Sequence, residues 1–483
     1  MRDFSIENLS KSINGKIIGC SDFFTPFTGR VTVLNDSKKG DIVIRHWVNG
    51  KGIEIAKEKN ISCLITENPK DGAIETAKLL NFPLIVTNKI ELANAFALNW
   101  TIDTYSPNSK NIAITGTNGK STTSHLIHHI LKESGFKVFT NTDAESEFNT
   151  LIDPIVSKLI SDEVIKNGDL DYIVLEISEV QGWLGSLMEN HSGLMVSALK
   201  ADVATVTNIA MDHIGLVNSI DDVFVEISGF VKSLKKGTFV YNCDDELLVK
   251  LLDFKNKDVN TFSFSMKDNS SSLCYDNNEE AIFYNNEIFL LKEELPFSTN
   301  HFIQNILSAI GCCLSLNIPL DDIKKTIKTY KSLDRRISKL NENPLILDDF
   351  AHNPDGIKLT VSEVSKLIKN DASLHIVCGI RGSRGEELNR LNALALSEAI
   401  SSTSNLILTS SQDVVNNLNT VTENEKKIFF EVLNEKEIDF IHYDNLFDAL
   451  NQTYLNSSSE DIILLIGAQG MDPASEILKK IIK

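Results

Sequence analysis

The chain has 483 residues, which at about 150 residues per domain predicts roughly three domains and excludes a lone binding module. Hydrophobic residues make up 42% and charged residues 23%, a globular balance that excludes disordered, collagen-like and coiled-coil chains. With 66 acidic against 47 basic residues the net charge is −19, the wrong sign for coating nucleic acid or an anionic membrane, so a phosphate ligand must be held by a local device.

The N-terminal MRDFSIENLSKSING has no apolar core of a signal peptide, and no stretch approaches the length of a membrane span, so neither secretion nor a membrane partner is expected. Seven cysteines, Cys20, Cys63, Cys243, Cys274, Cys312, Cys313 and Cys378, form no CxxC pair. They read as reduced thiols of a cytoplasmic protein rather than as a zinc site or a disulfide framework.

Residues 1–108 carry short apolar runs, GDIVI, SCLIT and PLIVT, around an amphipathic GIEIAKEKN, and predict a small α/β domain. The polar DTYSPNSKN reads as a linker. A second domain, residues 109–333, opens with a buried strand, IAIT, that feeds a Gly turn and a helix, STTSHLIHHILKESG. Within it DYIVLEIS, ADVATVTNI and GTFVYN have the length of buried parallel strands, separated by helical stretches such as SIDDVFVEISGFVKSLKKG, which predicts a doubly wound α/β sheet. The Asn-rich segment from FSFSMKDN to KEELP reads as a β-hairpin insertion, followed by a helix, HFIQNILSAIGCCLSL. Residues 334–483 alternate five strand candidates, PLILDDF, LHIVCGI, NLILTSS, DFIHYD and DIILLIG, with helices and form a third α/β domain.

The strongest chemical signal is Ile112-Ala113-Ile114-Thr115-Gly116-Thr117-Asn118-Gly119-Lys120-Ser121-Thr122-Thr123. Strand, Gly turn and helix start come in that order. Backbone N–H groups and the helix dipole therefore converge on an anion, Lys120 adds a point charge, and Ser121 is a magnesium ligand in outline. The string departs from strict GxxxxGK[ST] spacing, because Ile114 stands where the first Gly belongs.

The string GTNGKST resembles the phosphate loop of the Mur ligases, ATP-dependent peptide ligases of cell-wall precursor synthesis, and further motifs follow in the family's order. The strand Asp171-Tyr172-Ile173-Val174-Leu175-Glu176-Ile177-Ser178 resembles the one ending in a magnesium-binding Glu. Thr207-Asn208-Ile209-Ala210-Met211-Asp212-His213 is similar to the TN…DH motif, which implies His213 as a metal ligand and Asn208 near the adenine. Asn305 matches a nucleotide-contacting helical Asn, although Phe302 replaces the Asn usual three positions earlier. Arg336 fits the Arg of a GR motif at the domain junction. Asp348-Asp349-Phe350-Ala351-His352-Asn353-Pro354 resembles D-Y-A-H-N-P, with Asp349 placed to bind ribose or orient the third domain. The resemblance implies a three-domain Mur ligase architecture: an N-terminal domain binding a UDP-linked precursor, a central P-loop domain, and a C-terminal Rossmann-like domain binding the incoming amino acid.

By that resemblance, nucleotide is held by Gly116, Thr117, Asn118, Gly119, Lys120, Ser121 and Thr122 with Asn208, Asn305, Arg336 and Asp349. Magnesium falls to Ser121, Glu176 and His213, and Lys120, Glu176 and His213 act in catalysis. The implied reaction activates a carboxylate with ATP as an acyl phosphate, which an amine then attacks, with domain closure excluding water. ATP, a UDP-linked peptide precursor and an amino acid are the expected partners of a monomer.

Three departures bear on substrate. The lysine that many members carry after the DH histidine, which becomes carbamylated, is replaced in register by Ile227, and Lys232 lies a helical turn too far. The DNPR motif of diaminopimelate-adding ligases is absent where Leu408-Thr409-Ser410-Ser411-Gln412-Asp413 stands. Asp212 to Leu248 looks like the ligase half of cyanophycin synthetase. The loop from Gly379 to Gly385 offers Arg381 and Arg384 to an amino-acid carboxylate, with His352 and Asn353 as further substrate contacts. The expectation is a ligase similar to the archaeal pseudomurein peptide ligases. The alternatives are a Mur-like ligase acting on bacterial murein, a poly-amino acid or a tetrapyrrole coenzyme, a P-loop NTPase without ligase activity, and a non-catalytic nucleotide-binding subunit.

Overall fold

The computed structural model describes residues 5–19, 29–142, 154–183, 186–211, 216–296, 299–369, 372–401, 404–417 and 419–482. They form two compact units: one of Met1–Ile209, Gly215–Ser298 and Phe302–Tyr330, the other of Ala210–Ile214, Thr299–His301 and Lys331–Lys483.

The first unit holds two large sheets. The N-terminal one has five strands in the spatial order Gly15–Ile18, Leu84–Thr87, Cys63–Pro69, Ile42–Val48, Val31–Thr32. The three inner strands contain the expected apolar runs. The two edge strands escape a periodicity reading, since one is two residues long and the other is only half-buried. The helix Ile90–Tyr105 leaves this sheet and packs on helices of the next one, with the Asn99 amide donating to the Ala198 carbonyl at 3.1 Å. Arg30 pairs with both Asp41 and Asp162, and Lys158 reaches Asp36 at 3.4 Å, so ionic contacts also cross from the N-terminal sheet to the helix Pro154–Asn167. These contacts explain why both sheets share one unit.

The middle sheet has nine strands. Its heart is parallel and runs Val259–Ser265, Gly237–Asn242, Val203–Val206, Lys110–Thr115, Tyr172–Glu176, Val138–Thr140. After Lys110–Thr115 the chain builds first on one side of that strand and then on the other, so the turn at its C-terminal end lies at the switch point where doubly wound sheets bind ligands. The expected hairpin is present as Leu273–Asp276, Ala281–Tyr284 and Glu287–Leu291, but it continues the sheet rather than standing apart, because Phe264 and Ser265 pair with Leu273 and Cys274. Ile112 and Ile114 of the central strand pack with Leu126, Ile127 and Ile130 of the following helix and with Ile306 and Ile310 of the helix Asn300–Ser315. The rear of the phosphate-loop helix is braced by polar contacts: His125 Nδ1 lies 3.1 Å from the Tyr330 hydroxyl and His129 Nε2 lies 3.0 Å from the Thr326 carbonyl oxygen. Burial pushes His125 and His128 down to about 4, which leaves both neutral near pH 7.

The second unit contains one six-stranded sheet in the order Ser338–Asn341, Leu345–Asp349, Ile462–Ile466, Leu374–Gly379, Ser404–Thr409, Phe440–Tyr443. All five expected strands are there and run parallel. The sixth, Ser338–Asn341, pairs antiparallel on the edge and is too polar for apolar periodicity to reveal. Arg335, with a left-handed backbone at φ 58°, tucks its guanidinium under the sheet's end, where it reaches Asp348 at 3.5 Å, the Ala468 carbonyl at 3.1 Å, the Gly467 carbonyl and Asp472.

Asp348 is 1% exposed, and its burial outweighs the Arg335 guanidinium beside it, raising its pKa to about 6. Because the folded value lies above the unfolded one, Asp348 lends stability that is fully present below pH 4 and is lost as pH rises through 6. The stability of wild type relative to Asp348→Asn should therefore fall by about 2–3 kcal/mol between pH 4 and pH 7, measured by denaturant unfolding at each pH.

Candidate active site

The central strand Lys110–Thr115 ends in a turn that only glycine can make at two places. Gly116 has φ 120°, and a Cβ there would meet Thr207 Oγ1 at 2.3 Å; Gly119 has φ 84°, and a Cβ there would meet Asn305 Oδ1 at 2.4 Å. Gly119 caps the helix Lys120–Glu133, whose first N–H groups have no intrahelical acceptor and face the turn with the positive end of the helix dipole. The turn is pinned from the neighbouring strand: Thr117 N donates to the Asn208 carbonyl at 3.0 Å, Asn118 N to Asn208 Oδ1 at 3.0 Å, and Asn208 Nδ2 to the Asn118 carbonyl at 2.7 Å. Asn208 thus braces the loop, while Asn305 lies against Gly119. Thr122, in the first helical turn, is buried.

Two carboxylates meet the loop. Glu176, at the end of the adjacent strand and 1% exposed, accepts from Ser121 Oγ at 3.0 Å and from Thr142 Oγ1 at 3.3 Å. Asn141 fixes its backbone, donating to the Glu176 carbonyl at 2.9 Å and accepting its N–H at 2.8 Å. Glu179, in the turn that follows, accepts from Lys120 Nζ at 2.9 Å, and the same ammonium donates to the carbonyls of Gly116 and Thr117. Sequence reasoning missed Glu179, Asn141 and Thr142. The available signal was that Glu179 follows Glu176 by three residues, just beyond a strand paired to the loop strand. The hydroxyl of Ser121 and carboxylate of Glu176 are hard oxygen donors of the kind magnesium takes, and their adjacency at a helix N-terminus fits that ion. His213 lies outside the described residues. Among those described, no group of three His, Cys, Asp or Glu converges on a metal position.

In the second unit Asp349 Oδ2 accepts from Ile337 N at 2.9 Å, and Oδ1 accepts from Ala351 N and the Thr360 hydroxyl at 3.0 Å each. It organises the turn that carries Arg336, whose guanidinium stacks on Phe350 at 4.9 Å. His352 Nδ1 lies 2.7 Å from the Phe350 carbonyl oxygen, and Asn353 caps the helix Pro354–Ser365 by accepting from Gly356 N at 2.8 Å. Arg381 lines a small cleft with Gly382, Asn419, Gln469 and Gly470. Arg384 sits beside it in a loop whose N–H groups are gathered on one carboxylate: Ser383, Arg384 and Gly385 donate to Glu425 at 3.2, 2.9 and 2.8 Å. Burial alone would raise the Glu425 carboxyl, but the N–H bonds outweigh it and hold its pKa below the ordinary value.

The N-terminal sheet carries a cavity of about 260 Å³, with Val33, Leu34, Arg45, His46, Trp47 and Asn94 in its wall. His46 Nδ1 is 2.5 Å from Glu67, and the Arg45 guanidinium lies 5.3 Å from the Trp47 ring centroid. An aromatic face, a cation and amide groups around an apolar floor suit a polar ring bearing phosphates.

This arrangement has known counterparts. Residues 114–313 match the Mur ligase middle domain and residues 335–469 match the Mur ligase glutamate ligase domain, together more than half of the chain. A UDP-N-acetylmuramoylalanine–D-glutamate ligase of Natranaerobius thermophilus is 26% identical over 356 residues, covering 70% of each chain. A MurF ligase of Thermotoga maritima, solved with ADP, superposes with a TM-score of 0.68 at 15% identity over 94% of this chain and 97% of that one. A pseudomurein peptide ligase type C of Methanothermus fervidus superposes with a TM-score of 0.61 at 19% identity over 92% and 95%. The chain belongs to the Mur ligase family, the ATP-dependent amide-bond ligases.

Gly119→Ala, which strains the backbone and collides with Asn305, should weaken ATP binding at least about tenfold in titration calorimetry while the far-ultraviolet circular dichroism stays native.

Proposed function

We propose that this ligase adds an amino acid to a UDP-linked cell-wall peptide precursor in the cytoplasm, using ATP and magnesium. The observation that carries the reading is the meeting of Lys120, Ser121 and Glu176 at the mouth of a helix, on a turn braced by Asn208 and Asn305. The loop from Gly116 to Thr122 holds the triphosphate against the N–H groups of the helix start, while Thr117 N and Asn118 N stay on the Asn208 brace, and Ser121 and Glu176 would hold the metal. Magnesium, when bound, spreads the charge of the transferring phosphoryl group. The precursor's carboxylate oxygen attacks the γ-phosphorus, ADP leaves, and an acyl phosphate forms. The incoming amine then attacks the acyl carbon, phosphate departs, and the nitrogen loses a proton to give the amide. Lys120 and the loop amides stabilise the in-line phosphoryl transfer.

The cavity beside Arg45, His46 and Trp47 supports residues 1–108 as the holder of the UDP moiety. The second unit takes the amino acid, with Arg381 and Arg384 offered to its carboxylate and Arg336, Asp349, His352 and Asn353 shaping the turn nearby. A pseudomurein-type precursor is the finer reading. Its support is Ile227 in the register of the carbamylated lysine and the lack of DNPR after Leu408. Ile227 is fully buried, so that register holds a packing residue in place of a carbamate.

Phosphate release from Mg·ATP should require both a UDP-linked carboxylate and an amine and yield a product one residue heavier by mass spectrometry. Lys120→Ala and Glu176→Gln should each lower that rate at least about a hundredfold. ATP consumption independent of both substrates would replace the ligase reading with that of an NTPase.

A further inference from the structure

A phosphate-loop lysine is ordinarily counted as a positive charge awaiting an anion. Here the charge is already answered. The Lys120 ammonium has three N–H donors, and among the described residues it meets the Gly116 carbonyl at 2.6 Å, the Thr117 carbonyl at 2.9 Å and Glu179 Oε2 at 2.9 Å. The Glu179 side chain is 0% exposed and that of Lys120 is 14% exposed. A carboxylate so buried is strongly disfavoured once its cation is withdrawn. A phosphate oxygen arriving at Lys120 displaces a loop carbonyl, which remains a good acceptor for other donors, more readily than the buried Glu179 carboxylate.

The origin of Glu179 in the chain reinforces this. The strand Tyr172–Glu176 runs parallel to the loop strand, and Ile177 N continues the ladder by donating to the Ile114 carbonyl at 2.8 Å. The next residues turn, with the Ser178 hydroxyl donating to the Val180 carbonyl at 2.7 Å. One strand end thus delivers two buried carboxylates to two consecutive residues of the loop: Glu176 to Ser121 and Glu179 to Lys120.

We propose that Glu179 is a positioning residue that acts through Lys120: it fixes the ammonium for phosphoryl transfer, and its negative charge weakens binding of the ground-state triphosphate. This rests on the reading of Lys120 as the phosphate-binding lysine. An interaction of this kind trades nucleotide affinity for turnover, because the pair draws the bound triphosphate less strongly than a lone ammonium would while the fixed lysine serves the transition state.

The test uses the full chain carrying Glu179→Gln or Glu179→Asp, with three readouts: ATP affinity by calorimetry, the rate at which an acylating reagent modifies Lys120, and kcat for ligation. Glu179→Gln should bind ATP about three- to tenfold more tightly, acylate faster at Lys120, and lose at least about tenfold in kcat. Glu179→Asp should recover part of that kcat. Equal affinity and equal Lys120 acylation in wild type and Glu179→Gln would overturn the proposal. So would affinity and kcat falling together in step with the melting temperature, the mark of a purely structural residue. If Glu179→Gln does not fold, Glu179→Asp carries the same readouts with the contact stretched rather than removed, and shifts in the same directions are required. A wild-type chain that binds no ATP would instead defeat the reading of the loop itself.

Discussion

Everything around the central sheet serves one constraint: a parallel strand must hand over to a helix within four residues so that the helix's first N–H groups face the turn. Gly116 and Gly119 solve the backbone problem by adopting dihedrals that other residues avoid. They also leave room for what packs against them, since Thr207 and Asn305 occupy the volume that side chains would fill. Because the loop strand is flanked by Tyr172–Glu176 and Val203–Val206, the ends of those two neighbours reach the loop directly. One supplies the carboxylates and the other the Asn208 brace. The apolar packing of Ile112 and Ile114 beneath the loop keeps the three strand ends in register.

The second unit repeats the device with a different outcome. The loop of Ser383, Arg384 and Gly385 also points successive N–H groups at one place, but there the anion is the protein's own Glu425. Glu425 is in addition part of the capping box of the helix Glu423–Glu435, so the loop geometry is tied to a helix start rather than to a ligand. A loop held in this way fixes the backbone that carries Arg384, which is what the proposed role in gripping an amino acid's carboxylate would require.

Much of this was legible in the chain because it is local. Strand, Gly turn and Lys120-Ser121 are contiguous, and Glu176 ends an apolar run, so motif and periodicity point to them together. The edge strands Val31–Thr32 and Ser338–Asn341 were not legible, since two residues, or a polar run, carry no period. Glu179 lay in an irregular turn, and its importance arises only when two strands pair and bring residues 120 and 179 together. The motif pointed to Arg336 and left the part played by Arg335 unread. Both guanidinium groups lie over the Phe350 ring, at 4.8 and 4.9 Å, but the left-handed backbone at Arg335 also sends its side chain into the buried network at Asp348 and the Ala468 carbonyl.

The acidity of the chain then acquires a specific meaning at the site. A protein with net charge −19 attracts no nucleotide from a distance, and the one lysine of the loop is paired with Glu179 at 2.9 Å. In the proposed site, affinity for a triphosphate would come from uncharged groups, the amides of the helix start and the helix dipole, and from a metal that Ser121 and Glu176 would hold. Lys120 then contributes direction more than charge. Such a division suits a ligase whose phosphoryl group must leave as readily as it arrives, first to the carboxylate and then, once the amide has formed, to solvent as phosphate. A loop that bound phosphate through a free lysine would hold that product longer.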